Sequence, residues 1–154
     1  MKKTLSFTVS IAAPRQLVWE TMLGPDSYKA WTSAFAEGGS YFVGSWDEGS
    51  KIQFLAPGGD GMTAVIAKNK PYEFLSIRML GEISKGVEDT TSEKVKAWAP
   101  AYENYTFAEV AAGTTVTVSL DTLTEYEQYM LDDYPKALGL LKELCEQATK
   151  AARA

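Results

Sequence analysis

The sequence predicts a two-layer α+β domain in which one antiparallel sheet packs against one long C-terminal helix. Three observations predict it. Apolar and polar residues alternate over 5–11 and again over 114–122, the period of a strand with one buried face. Between residues 41 and 80, short apolar runs are separated by turns of hairpin length, most of them glycine-rich. From Met130 onward the apolar period becomes i, i+3, i+4 and i+7, the stripe of an amphipathic helix. Strands in hairpin succession with one long helix give α+β and not an alternating α/β chain.

Leu5, Phe7, Val9 and Ile11 form the buried face of the first strand, with Ser6, Thr8 and Ser10 between them. Ala12-Ala13-Pro14 ends it, and Pro14, lacking an amide hydrogen, suits a helix start. A short helix then runs to about Met22, with Leu17, Val18 and Met22 inward and Trp19 at an edge. Gly24-Pro25 stops it, and Asp26 or Ser27 is expected to cap a second short helix through Tyr28 and Trp31. Strands are expected over 41–46, 51–55, 62–67 and 73–80, joined by turns at Asp47-Glu48-Gly49, Pro57 to Gly61 and Asn69-Lys70-Pro71. Residues 81–99 are polar and mixed in charge and read as a mobile loop or a ragged strand pair. Strands return over 102–110 and 114–122, hinged at Ala111-Ala112-Gly113, with Val116, Val118 and Leu120 on one face. In the tail, Met130, Tyr134, Ala137, Leu138, Leu141, Leu144, Cys145, Ala148 and Ala152 make the stripe. Either Asp132 or Asp133 caps a helix with Pro135 in its first turn, or a helix begins near Glu125 and kinks at Pro135.

Composition bounds the chemistry. The 154 residues make a single domain, 1–154, able to bury about two-thirds of its unfolded surface. A net charge of −5 argues against nucleic acid as a partner. Histidine is absent and Cys145 is the only cysteine, which excludes disulfides within the chain, Cys–His nucleophile pairs and zinc sites built on His or Cys clusters. No cofactor or metal is expected. The N-terminal lysines are followed by alternation and not by a continuous apolar core, so a strand is expected there and not a secretion signal. No run is long enough to span a membrane, and a soluble cytoplasmic protein is the expectation. Gly58-Gly59-Asp60-Gly61 lacks the lysine and the following helix of a phosphate loop and reads as a hairpin turn.

Three features together carry a family resemblance: Ile11-Ala12-Ala13-Pro14 followed by Leu17-Val18-Trp19, then Tyr28-Lys29-Ala30-Trp31, then Gly113-Thr114 to Leu120 followed by Ala137-Leu138 and Leu141-Lys142. In this order the chain resembles the SRPBCC superfamily, which includes START lipid-transfer domains and pollen-allergen-like proteins. Its look is similar to the branch of the C-terminal domain of the activator of the heat-shock-protein-90 ATPase. The resemblance implies a helix-grip fold: a curved antiparallel sheet of about seven strands wrapped around the C-terminal helix, two short helices after the first strand, and a hydrophobic cavity between sheet and helix. It implies a small apolar or amphipathic molecule as partner. A cyclase-, aromatase- or hydrolase-type enzyme, and a protein-interaction module related to chaperone ATPase activation or a homodimer, are the alternatives. Without histidine, binding is favoured over catalysis.

Candidate cavity residues follow from the expected elements. Trp31 is placed to close the cavity where the short helices meet the sheet. Trp46 either lines the cavity or sits exposed at a hairpin tip. Phe54, Met62, Phe74, Ile77 and Met79 lie on the middle strands, where alternation alone does not fix which face inward. Period two places Glu103, Tyr105 and Phe107 on one face, with Tyr102 and Asn104 on the other. A buried Glu103 would be the acid–base candidate, or else a rim carboxylate. Arg78 would hold an anionic group if inward, pair with Glu103, or face solvent. Met130, Tyr134, Leu138 and Leu141 would roof the cavity, with Cys145 as a small buried hydrophobe on the same stripe.

Overall fold

The computed structural model describes residues 2–153, with side chains through 152. Strand β1 (Lys2–Ile11) leads into helices α1 (Arg15–Leu23) and α2 (Pro25–Trp31) and a single 3-10 turn. Strands β2 (Tyr41–Gly44), β3 (Lys51–Leu55), β4 (Gly61–Lys70) and β5 (Phe74–Ser84) follow, then β6 (Val87–Asp89) and a one-turn helix α3 (Glu93–Lys96). Strands β7 (Ala101–Val110) and β8 (Gly113–Leu123) precede helix α4 (Glu127–Arg153). The sheet runs β1-β8-β7-β5-β4-β3-β2, with β6 paired to β5. All pairings are antiparallel. This is the α+β helix-grip architecture: a curved sheet around a long C-terminal helix, with two short helices after β1.

Register follows from the alternation. Phe7 lies opposite Val118 and Leu5 opposite Leu120, so the two period-two stretches share one inner face. Gly113 turns β7 into β8 at φ +143, and a Cβ there would stand 2.2 Å from the Ile11 carbonyl oxygen, so only glycine fits. Across the sheet α4 presents Tyr134, Ala137, Leu138, Leu141 and Cys145, all buried. Its next buried position is Thr149 and not Ala148 or Ala152, which are exposed. Thr149 satisfies its hydroxyl by donating to the Cys145 carbonyl at 2.9 Å, so it needs no outside partner. Two more α4 side chains reach the outer border of β1: Lys142 donates to the Ser10 carbonyl at 2.8 Å, and Glu146 accepts from the Ala12 amide at 3.0 Å.

Several local expectations are corrected. Of the two expected starts for the tail helix, the earlier, near Glu125, is the one observed: α4 starts at Glu127, so neither Asp132 nor Asp133 caps it and Pro135 lies inside. Helix α2 uses Pro25 at its first position after Gly24, with no side-chain cap from Asp26 or Ser27. Of the two expectations for residues 81–99, the strand pair holds and the mobile loop does not: β5 runs on to Ser84, β6 pairs with it, and Ser92 caps α3 by accepting from the Val95 amide at 3.3 Å. Cross-strand side chains hold β6, since Glu88 meets Lys51 at 2.7 Å and accepts from Gln53 at 2.6 Å. Among the described residues, no helix is long and apolar enough to cross a membrane.

Candidate functional site: a two-chambered cavity around Glu103

A sheet that curves around one helix leaves space where the helix end diverges from the strands. Here that space is two adjoining chambers. The outer, about 460 Å³, lies among the start of β4, the end of β5, the start of β7, the end of β8 and the first turn of α4. Its apolar walls include Met62, Met79, Ile83, Trp98, Leu120 and Leu123. The inner, about 210 Å³, is walled by rings: Tyr28 and Trp31 from α2, then Phe35, Phe54, Tyr105 and Tyr134. Met62, Met79, Glu103, Tyr129 and Met130 line both chambers, so Glu103 stands at their junction. The outer volume falls in the range of pockets that enclose drug-sized molecules, about 300–1,000 Å³.

Glu103 points inward because β7 alternates. Its cross-strand neighbours Ile77 and Leu120 are inner-face residues, and Tyr105 follows two positions later. Both the Tyr105 hydroxyl, at 2.9 Å, and the Tyr134 hydroxyl donate to Glu103 Oε1. Among the described residues Oε2 has no protein donor, and Glu103 joins no ion pair. Burial pushes the Glu103 carboxyl above the usual carboxylate range, and the two phenol hydrogen bonds pull it part of the way back. The tyrosines respond to the same surroundings. Burial, then the charge of Glu103, raises the phenols of Tyr28, Tyr105 and Tyr134, so these three remain protonated donors at neutral pH.

Packing fixes the rings. Tyr134 stacks on Phe7 at 5.1 Å and meets the edge of Phe35 at 5.0 Å. Trp31 is anchored by its indole N–H, which donates to the Met22 carbonyl at 3.1 Å. The Tyr129 hydroxyl donates to the Phe35 carbonyl at 2.7 Å, tying α4 to the segment after α2 beside the inner chamber.

Of the sequence candidates, Trp31, Phe54, Met62, Ile77, Met79, Glu103, Tyr105, Met130 and Tyr134 come together around these chambers. The others stand elsewhere. Arg78 is exposed on the outer face, opposite Tyr102 and Val65, because its neighbours Ile77 and Met79 take the inner positions; it neither enters the cavity nor pairs with Glu103. Phe74 shares the outer-face parity of exposed Thr106. Trp46 donates to the Leu23 carbonyl at 3.1 Å and packs among Tyr28, Phe42 and Phe54, behind the chamber wall and not at an exposed tip. Phe107 packs edge-on against Trp19 at 5.1 Å, while Leu138 and Leu141 fill the closed core. Cys145 is fully buried, and desolvation pushes its thiol up to about 11. Sequence reasoning passed over Tyr28, Phe35 and Tyr129. Tyr28 had a signal in its i, i+3 spacing to Trp31; Phe35 and Tyr129 become lining residues only through contacts distant in sequence.

Among the described residues, no group of three or more His, Cys, Asp or Glu is placed to hold a metal ion. No family model and no curated protein matches the chain. Solved structures do match in shape. Protein MLL2253 from Mesorhizobium loti superposes with a TM-score of 0.74 at 12% identity, over 94% of this chain and 98% of that one. Protein NE0264 from Nitrosomonas europaea gives 0.69 at 14% identity, over 96% of each chain. The AHSA1-like protein from Aeromonas hydrophila gives 0.64 at 16% identity, over 96% of this chain and 94% of that one. At such identities the likeness carries fold and not activity. The chain thus has a helix-grip fold, shared with these solved proteins, the AHSA1-like protein among them.

Proposed function

We propose that the protein binds one small, largely apolar molecule between the sheet and α4, with Glu103 as its polar anchor. The carrying observation is the pair of adjoining chambers with a single carboxyl group at their junction. A pocket that is mostly apolar with a few convergent polar groups is the usual form of a small-molecule site. Trp31, Phe54, Met62, Ile77, Met79, Tyr105, Met130 and Tyr134 are its proposed walls. An interaction module without a ligand would favour a filled interior, and about 460 Å³ of open space weighs against that reading. The test is titration with a neutral apolar fluorophore, N-phenyl-1-naphthylamine. Saturable one-to-one enhancement is expected, and it should be lost in Met62→Trp, which fills the junction. Unsaturable enhancement, or enhancement indifferent to Met62→Trp, refutes the reading.

A second reading has a specific observation behind it. A carboxyl group with a raised pKa that receives two phenol hydrogen bonds beside an apolar chamber is equipped for general acid–base work on a bound substrate. Native mass spectrometry of protein purified from its own host tests both readings. Ligand binding expects a co-purifying small molecule. Catalysis further expects that its mass changes on incubation with the wild type and not with Glu103→Gln.

A further inference from the structure

The charge around the cavity is one-sided. Among the described residues, those lining the two chambers include four carboxylates, Asp60, Glu82, Glu103 and Asp121, and no lysine or arginine. Asp60 accepts from the Lys85 amide at 3.0 Å, and Asp121 accepts from the Thr4 hydroxyl at 2.7 Å and the Tyr102 amide at 3.0 Å. These donors are neutral. Only Glu82 has a cation, Lys94, at 3.3 Å, and that lysine is largely exposed. Among the described residues, Glu103 receives only phenol hydroxyls on Oε1 and nothing on Oε2. Around it stand Tyr28, Trp31, Phe35, Phe54, Tyr105 and Tyr134, whose ring faces carry partial negative charge. Low-dielectric walls bearing one sign of charge focus the field onto the space they enclose. A fatty-acid carboxylate would meet repulsion here and find no basic partner.

We propose that the cavity selects a cation: an amphipathic amine whose ammonium group meets Glu103 Oε2 among the aromatic rings while its apolar body fills the outer chamber. This deepens the ligand-binding reading and rests on it. The ammonium supplies the charge partner that Glu103 lacks, and rings within about 6 Å add cation–π attraction. An uncharged alcohol of the same shape makes the apolar contacts without the charge. A carboxylate of the same shape adds an uncompensated anion beside Glu103.

Three probes with one chain and three head groups test the idea: octylamine, octanol and octanoate, titrated calorimetrically against the full chain near neutral pH. A charge-assisted hydrogen bond in this setting corresponds to about tenfold or more in affinity, so the expected order is amine, then alcohol, then carboxylate. This ranking in the wild type needs no variant. Glu103→Gln, confirmed as folded by its thermal transition, should bring the amine to within about twofold of the alcohol while octanol still binds. Equal binding of all three, tighter binding of octanoate, or an amine preference that survives Glu103→Gln overturns the charge inference and leaves the cavity reading standing. Binding of none of the three overturns both.

Discussion

Replacing Tyr134 by phenylalanine isolates one hydrogen bond at the centre of the site. The ring keeps its stack on Phe7 and its edge contact with Phe35, so little packing is lost. What goes is the hydroxyl that donates to Glu103 Oε1, leaving Tyr105 as the remaining donor there. A hydrogen bond to an ionised group contributes about 1.5–3 kcal/mol, and one to a neutral group about 0.5–1.5 kcal/mol. The cost of Tyr134→Phe therefore depends on the charge of Glu103. Burial holds the folded Glu103 pKa above its unfolded value, so its contribution to stability is present at acid pH and declines as pH rises through the folded pKa. Removing a donor to the charged form raises that pKa further and deepens the decline. Denaturant unfolding should show the variant less stable by about 0.5–1.5 kcal/mol in acid, where Glu103 is neutral, and by about 1.5–3 kcal/mol at alkaline pH above the folded Glu103 pKa. At roughly 2–4 °C per kcal/mol for a chain of this size, the alkaline loss is about 3–12 °C in Tm. A loss that is the same at both pH values, or larger in acid, would refute the reasoning, because the bond would then not be made to an ionisable carboxyl.

Leu141→Ala empties a fully buried position between α4 and the sheet and should cost about 2–5 kcal/mol in denaturant unfolding, whereas Met62→Ala, beside space that already exists, should cost clearly less. With its thiol raised to about 11 by burial, Cys145 should resist a thiol-specific disulfide reagent at mildly alkaline pH in the native protein and react fully once unfolded; prompt native labelling would contradict the buried placement. Glu146 is held below the usual carboxylate range first by the Ala12 amide and then by Lys142, so Lys142→Met should raise its NMR titration midpoint only part of the way to that of a free glutamate, and full normalisation would mean the amide bond is absent. Gly113→Ala should destabilise by more than about 1 kcal/mol, because the turn needs positive φ and the new Cβ strikes the Ile11 carbonyl; a neutral result would show that the turn relaxes.

Local periodicity made most of this architecture legible. Leu5 to Ile11 and Val116 to Leu120 alternate without interruption, and the inward set of β7, Glu103 with Tyr105 and Phe107, follows from counting by two. Arg78 was legible in principle, since apolar Ile77 and Met79 flank it and must share the opposite face. The strand at 87–89 was legible only as one of two alternatives, because its order depends on Glu88 reaching Lys51 and Gln53, more than thirty positions away. The helix stripe failed at its end for a chemical reason. Thr149 looks polar in a list of residues, but its hydroxyl is satisfied within its own helix and can be buried, while alanines on either side carry too little apolar surface to decide the face. The cavity itself is a property of how α4 and the sheet diverge, which no residue pattern encodes.

The side chains that α4 extends to β1 have a consequence for how copies of the chain behave at high concentration. β1 is a ten-residue border strand, and such a strand can template the addition of another chain through its open backbone groups. Lys142 and Glu146 occupy the Ser10 carbonyl and the Ala12 amide at one end, and Lys2 and Lys3 place charge at the other. The opposite border, β2, is only four residues long and ends at Gly44. An incoming strand must displace Lys142 and Glu146, which pair with each other at 2.6 Å, on one side and finds little length to grip on the other, so the sheet is protected against growing into a fibril from either border.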